Sequence, residues 1–311
     1  MGAKVAICIA TTGASSMNWM SRIMGKLLLD QQLGIEFTHI HQASSAVPDH
    51  SKNNIIAANA SPNIEKGRNE RTDENRNIIV GANINKRYSK DGVLRSDADY
   101  IMWLDDDTVP PNRFVTHLVN LGRPFVGGIY FLGQYPFTPL AYYRNEDGLY
   151  QALYDYPKGT LVPCDSIGMG CTLIHRSVYE AILDNYEVFQ RSNGSLVPVH
   201  KDDIQNRRTP NQKKSYVKNG YFHDPLWEID PDDNRTFPFY GMEYGRTEDH
   251  YFCEMAVRCG FQPYVDTNVE CEHLKLYGFG KAHYVEALEG RREELDRAGE
   301  ITPADLGRRI G

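Results

Sequence analysis

Apolar positions along this chain alternate between two spacings, and the alternation predicts strands followed by helices. Residues 4–10 (KVAICIA) form a short continuous apolar run of strand length, residues 11–16 read as a turn, and residues 17–29 place apolar side chains at helical spacing. A second strand is expected over 35–40, a polar, loop-rich stretch over 42–69, and helical spacing again over 70–88 through Ile78, Ile79 and Ala82. The run 100–104 (YIMWL) is aromatic and branched and reads as a buried strand. Beyond it the pattern predicts a helix over 111–121, a strand over 125–131 kinked at Gly127-Gly128, and tyrosine-rich strands over 140–154. Residues 161–182 combine a glycine turn (Gly168-Met169-Gly170) with a short strand and a helix, and a further helix carries residues 251–258. Such alternation is the signature of an α/β fold built on a parallel sheet.

Two regions break the rhythm. Over 190–245 periodic apolar positions thin out in favour of polar and aromatic residues, which predicts a variable insertion or acceptor lid. Residues 281–311 carry a charged amphipathic helix (282–298) that suits packing on the body or on a second copy of the chain. The domain reading is therefore a catalytic domain over 1–280 and a helical tail over 281–311.

Composition bounds the function. With 311 residues, 41% hydrophobic and 24% charged, the chain has the make-up of a soluble globular protein. A net charge of -7 argues against a partner that is polyanionic over the whole surface. No apolar stretch approaches the ~20 residues of a membrane span, and the first residues enter a strand with no cleavable signal pattern, so a cytoplasmic location is expected. The six cysteines contain no CxxC pair, which points to reduced thiols rather than a zinc knuckle or redox motif.

The candidate chemistry sits where YIMWL ends, at Asp105, Asp106 and Asp107. One aspartate would serve to start the helix near Pro110, but three adjacent carboxylates repel one another unless a cation neutralises them. The carboxyl end of a strand is also where open α/β sheets bind ligands. A second acidic pair, Glu248-Asp249, follows Thr247, which is placed to cap a helix, and His273 closes a later strand pair. Asp105 and Asp107 offer hard oxygens for Mn²⁺ or Mg²⁺, and the imidazole of His273 tilts the choice toward Mn²⁺.

The order of these pieces resembles the GT-A class of nucleotide-sugar-dependent glycosyltransferases, family-2-like, over about residues 4–273. YIMWLDDD matches the DxD motif, Arg76-Asn77 in ENRNIIVGA the helix before it, IGMGCTLIHRSV the central segment, and TEDHYFCEMAVRCGF with the later histidine the remainder. The resemblance implies a GT-A (Rossmann-like), mixed, mostly parallel sheet flanked by helices. It implies a nucleoside-diphosphate-sugar donor, UDP-sugar favoured, and transfer to a hydroxyl acceptor, with inversion favoured over retention and both outcomes open. Thr11 and Thr12 would hold the nucleoside, Arg76 the base or diphosphate, Asp105 or Asp106 the ribose or a metal-bound water, and Asp107 the metal directly. Gly168, Met169 and Gly170 would floor the sugar pocket, Asp249 would be the general base, and Glu248 would orient substrate.

For the acceptor, Trp227 and Tyr244 are candidates for stacking on a sugar face. The basic segment holding Lys213 and Lys214, interleaved with aromatics, suits an anionic partner; nucleic acid, glycan and protein acceptors all stay open. Two other readings stand beside the transferase. One is a nucleotidyltransferase making nucleotide sugars, disfavoured because the turn TTGASSMNW lacks a basic residue before Arg22. The other is a non-catalytic nucleotide- or sugar-binding module.

Overall fold

The computed structural model describes residues 2–11, 17–44, 72–90, 92–132, 137–204, 226–230, 232–242 and 246–274. In chain order these form β1 (Lys4–Thr11), α1 (Met17–Gln32), β2 (Glu36–Ser44), α2 (Thr72–Val80), β3 (Tyr100–Asp105), β4 (Thr108–Val109), α3 (Phe114–Asn120) and β5 (Phe125–Ile129). There follow β6 (Ala141–Arg144), β7 (Tyr150–Ala152), β8 (Leu161–Pro163), β9 (Ser166–Ile167), β10 (Cys171–His175) and α4 (Arg176–Asn185). The last are β11 (Tyr186–Gln190), β12 (Leu196–His200), α5 (Glu248–Arg258), β13 (Tyr264–Glu270) and β14 (Glu272–His273). The chain divides into two compact units, Met1–Leu274 and Lys275–Gly311, and every described residue belongs to the first. The expected tail helix lies outside the described residues. No helix among the described residues is long and apolar enough to cross a membrane.

The main sheet has seven strands in the order β2-β1-β3-β10-β5-β13-β8. Pairings β1–β2, β1–β3 and β5–β13 are parallel; β10 runs antiparallel to both β3 and β5, and β8 antiparallel to β13. Five strands therefore share one direction, in a mixed α/β arrangement. From β1 the chain moves outward to β2 and then returns to β3 on the other side of β1. The carboxyl ends of β1 and β3 thus flank a topological switch point, the crevice where such sheets bind ligands.

β3 is apolar without interruption because both of its faces are covered. Ile101 and Trp103 pack with Ile79, Val178, Tyr179 and Phe252 from α2, α4 and α5, while Met102 and Leu104 pack with Trp19, Ile23 and Phe114 from α1 and α3. Helical spacing continued past residue 80 in the sequence, yet α2 stops at Val80. Gly81 takes the left-handed conformation (φ 72°), and a Cβ there would meet the Gly92 Cα at 2.2 Å, so the chain turns off. The kink expected at Gly127-Gly128 is absent from β5; the register irregularity falls on its partner β13, between Asp266 and Glu270.

Of the region 190–245, the residues 205–225, 231 and 243–245 lie outside the described residues. β12 pairs with β11, and Phe237, Phe239 and Tyr240 are fully buried in the main core. Tyr240 stacks on Phe252 of α5 at 4.8 Å, and the Asn77 side chain grips the Tyr240 backbone by both N–H and carbonyl. Aromatic side chains inserted singly from irregular backbone bury large area without producing any period, which is why the pattern hid them.

Candidate functional site

The switch point gathers pieces from six elements. Asp105 ends β3, and its N–H donates to the carbonyl of Gly170 at 3.0 Å, so the glycine turn before the antiparallel β10 abuts the aspartates. Asp106 and Asp107 turn the chain into β4. That short strand pairs with β14, placing His273 opposite Thr108 beside the acids, and the Leu274 N–H donates to the Asp107 carbonyl at 2.6 Å. Residues 166 positions apart are joined in this way. Ala10 of β1 lies opposite Asp105, so Thr11 ends its strand at the same crevice. Thr12 lies outside the described residues.

His273 is oriented by its surroundings. Its Nδ1 lies 2.6 Å from the Phe131 carbonyl, which can only accept, so Nδ1 carries a proton, and Nε2 lies 3.1 Å from Asp107 Oδ2. Fixing an imidazole by a backbone carbonyl on its far nitrogen is how metal-ligating histidines are held. In the neutral ring the Nε2 lone pair joins the Asp107 carboxylate as a pair of donors for a cation. Among the described residues no three His, Cys, Asp or Glu side chains converge as a metal cluster. Asp107 and His273 supply two donors, and a divalent ion bound by one or two protein groups takes its remaining ligands from phosphate and water. The pair fits such an ion.

Asp105, expected as a metal ligand beside Asp107 and His273, has its Oδ1 2.8 Å from an Nη of Arg76. Arg76 itself, expected at the base or diphosphate, is 1% exposed. Its guanidinium lies over Trp103 at 5.1 Å and Tyr240 at 5.9 Å, with Nε 4.0 Å from Glu248 Oε1. Burial alone would favour the neutral form, but Asp105, Asp249 and Glu248 reverse that and hold the cation. Arg76 is the buried counter-charge that fixes the two acidic elements relative to each other.

Glu248 and Asp249 open α5, where the helix macrodipole favours negative charge. Thr247 occupies the capping position, but its side chain makes no capping bond. Asp249 accepts a hydrogen bond from the Met169 N–H, while its enclosed Oδ1 has no partner among the described residues. Burial first, and then the neighbouring Glu248, push the Asp249 carboxyl well above the usual range; Arg76 opposes them only in part. Glu248 is raised as well, by burial against the pull of Arg76.

The glycine turn serves a different purpose from the one expected. A Cβ on Gly168 would meet the Tyr130 hydroxyl at 2.3 Å, and one on Gly170 would meet Tyr130 Cζ at 2.8 Å and Thr108 Oγ1 at 2.9 Å. Met169 is fully buried in the core. The glycines therefore leave room for Tyr130, and the Tyr130 hydroxyl accepts the Gly170 N–H at 2.7 Å. The same ring meets His273 edge-on at 5.7 Å, so one tyrosine braces both the turn and the histidine.

Trp227 is not brought to the crevice by its backbone, which exchanges hydrogen bonds with Gln190 and so extends the small β11–β12 sheet. Tyr244, Lys213 and Lys214 lie outside the described residues. Three site residues were missed in the sequence. Tyr130 and Tyr240 gave no local signal. His250 did, standing directly after Glu248-Asp249: its ring stacks on Tyr150 at 4.2 Å, and its Nδ1 lies 2.7 Å from Ser166 Oγ. Burial, helped by Arg144 and Arg246, pushes its pKa down to about 4, so it is neutral near pH 7.

No protein-family model matches the chain, and no curated protein sequence matches it. Among solved structures the chain is similar to A197 from STIV (TM-score 0.40, 14% identity, 88% of this chain and 86% of that one). It is also similar to GalNAc-T7, solved with UDP, GalNAc and Mn²⁺ (TM-score 0.37, 7% identity, 89% of this chain). The match spans 45% of the GalNAc-T7 chain.

Proposed function

We propose that this protein is a metal-dependent glycosyltransferase that moves a sugar from a nucleoside-diphosphate sugar to a hydroxyl acceptor. The observation that carries the reading is the Asp107–His273 pair at the switch point, with the imidazole Nε2 3.1 Å from the carboxylate and Asp249 on the adjoining helix start. When bound there, a divalent cation, Mn²⁺ by the donor set, would offset the charge that develops on the departing diphosphate. Asp249 receives the proton of the acceptor hydroxyl as that oxygen attacks the anomeric carbon and the carbon–phosphate oxygen bond breaks, its electron pair leaving with the diphosphate. Attack from the face opposite the leaving group inverts the anomeric centre.

Asp249 must be ionised for this role, and its raised pKa makes transfer increase with pH through that ionisation. Glu248 and Asp105, both held by Arg76, keep the acidic face in register with the donor side of the crevice.

Calorimetric titration with UDP, with and without Mn²⁺, tests the reading on the wild type, Asp107→Ala and His273→Ala. Metal-dependent UDP binding that is lost in both variants is expected. Should neither UDP nor GDP, CDP or dTDP bind in the presence of metal, the proposal fails.

A further inference from the structure

A three-stranded sheet of β7, β6 and β9 lies against the start of α5, and its register decides which side chains share a face. Tyr142 stands opposite Ala152 and Arg144 opposite Tyr150. Because side chains alternate along a strand, Tyr142, Arg144 and Tyr150 look toward α5 and Tyr143 looks away. α5 covers one end of the inner face: His250 stacks on Tyr150 and meets Tyr142 edge-on at 4.6 Å, and Glu254 pairs with Arg144 at 3.0 Å.

The other end is open. Tyr154 is 65% exposed, with its hydroxyl 3.2 Å from Thr138 Oγ1, and the neighbouring Phe137 is 54% exposed. Tyr142 links this open end to the candidate base: burial and then the charge of Asp249 push its phenol up to about 12, with a smaller push from Tyr154. Exposed aromatics taken singly are ordinary on a protein surface. Here Tyr142 meets edge-on the ring of His250, the residue after Asp249, whose enclosed Oδ1 has no partner among the described residues.

We infer that Tyr142, Tyr154, Phe137 and the Thr138 hydroxyl form the acceptor subsite, and that its occupant is an uncharged saccharide. The inference rests on the glycosyltransferase reading. A sugar ring has an apolar C–H face that covers an aromatic ring and a rim of hydroxyls that bond to Thr138 and Tyr154 while one of them reaches Asp249. Charge excludes the nucleic-acid alternative at this surface. Residues 137–165 carry Glu146, Asp147, Asp155 and Asp165 against Arg144 and Lys158. Arg144 is committed to Glu254, so the surface repels a phosphate backbone.

Saturation-transfer NMR on the full chain with UDP and diamagnetic Mg²⁺ present tests this, using the methyl glycosides of glucose, galactose, mannose and N-acetylglucosamine as probes and oligothymidylate as the competing class. At least one glycoside should receive saturation, and Tyr154→Ala should weaken it by roughly threefold to tenfold, the worth of one aromatic contact. Tyr143→Ala, on the opposite face, should leave it unchanged. No transfer to any glycoside, an equal loss in the two variants, no loss in Tyr154→Ala, or displacement of the glycoside by oligothymidylate would each overturn the inference. A separate UDP titration keeps the two levels apart: a wild type that binds UDP but no glycoside sinks the acceptor assignment alone, whereas one that binds no nucleotide takes both readings down.

Discussion

Asp249 couples stability to chemistry. In the unfolded chain its carboxyl ionises near about pH 3.9. The folded protein holds it well above that, so as pH rises through the interval the unfolded state sheds its proton first and stability falls. Above the folded value the penalty is constant; below the unfolded value it is absent. Asp249→Asn should therefore melt higher than the parent at about pH 8 and equally at about pH 3, while transfer drops roughly 10²- to 10⁴-fold. Thermal melts at the two pH values and a transfer assay check both arms, and an equal melting point at both would refute the buried-proton account. Arg76 behaves oppositely. Arg76→Met leaves Asp105 and Glu248 without their counter-charge and should cost on the order of 3 kcal/mol, the low end for a broken buried pair because Asp105 keeps some solvent contact. Urea unfolding measures it.

Between elements, the site depends on backbone contacts that a single methyl group would disturb. The turn between β9 and β10 is pressed against Tyr130 at the end of β5, and the Tyr130 ring in turn abuts His273 of β14. Gly170→Ala should cost about 1–3 kcal/mol through overpacking. Adding Tyr130→Leu should recover part of that loss, giving a coupling well outside additivity. A double-mutant cycle by denaturant unfolding reads the coupling; strict additivity would mean that the glycine is there for some reason other than Tyr130. At this scale the sequence was legible where a signal was local. The run YIMWL followed by three aspartates placed the strand and its acidic end, and Glu248-Asp249 marked the start of α5. The phenol behind the glycines was not legible, because Tyr130 and Gly170 lie forty positions apart and neither residue breaks a local pattern.

Across the whole molecule, pH acts from both sides. His250 is neutral when folded, with a pKa of about 4 against an ordinary value of 6.5, because burial and the cations Arg144 and Arg246 disfavour its charge. A histidine depressed in this way stabilises fully above its unfolded pKa, and the contribution is lost as pH falls from about 6.5 through the folded value. Asp249 erodes stability in the rising direction over the same interval, so between about pH 4 and 6.5 the two groups oppose and offset each other. His250→Gln should leave the Asp249 slope uncompensated, so that melting temperature rises as pH falls from about 6.5 towards about 4; an unchanged profile would assign acid sensitivity to other groups.

Sequence by itself determined what depends on near neighbours: the alternation of strands and helices, the doubly covered β3, the acids at its end and the helix start that bears Asp249. Local spacing sets backbone preference and buried face, so these features needed no knowledge of the rest of the chain. Only the tertiary structure decided which charges meet. Asp105 was brought to Arg76, His273 was carried to Asp107 by the β4–β14 pairing, and Phe237, Phe239 and Tyr240 entered the core from an irregular segment. Charge pairing and aromatic burial act over distance in space, and the order of strands in the sheet, which no local pattern encodes, fixes that distance.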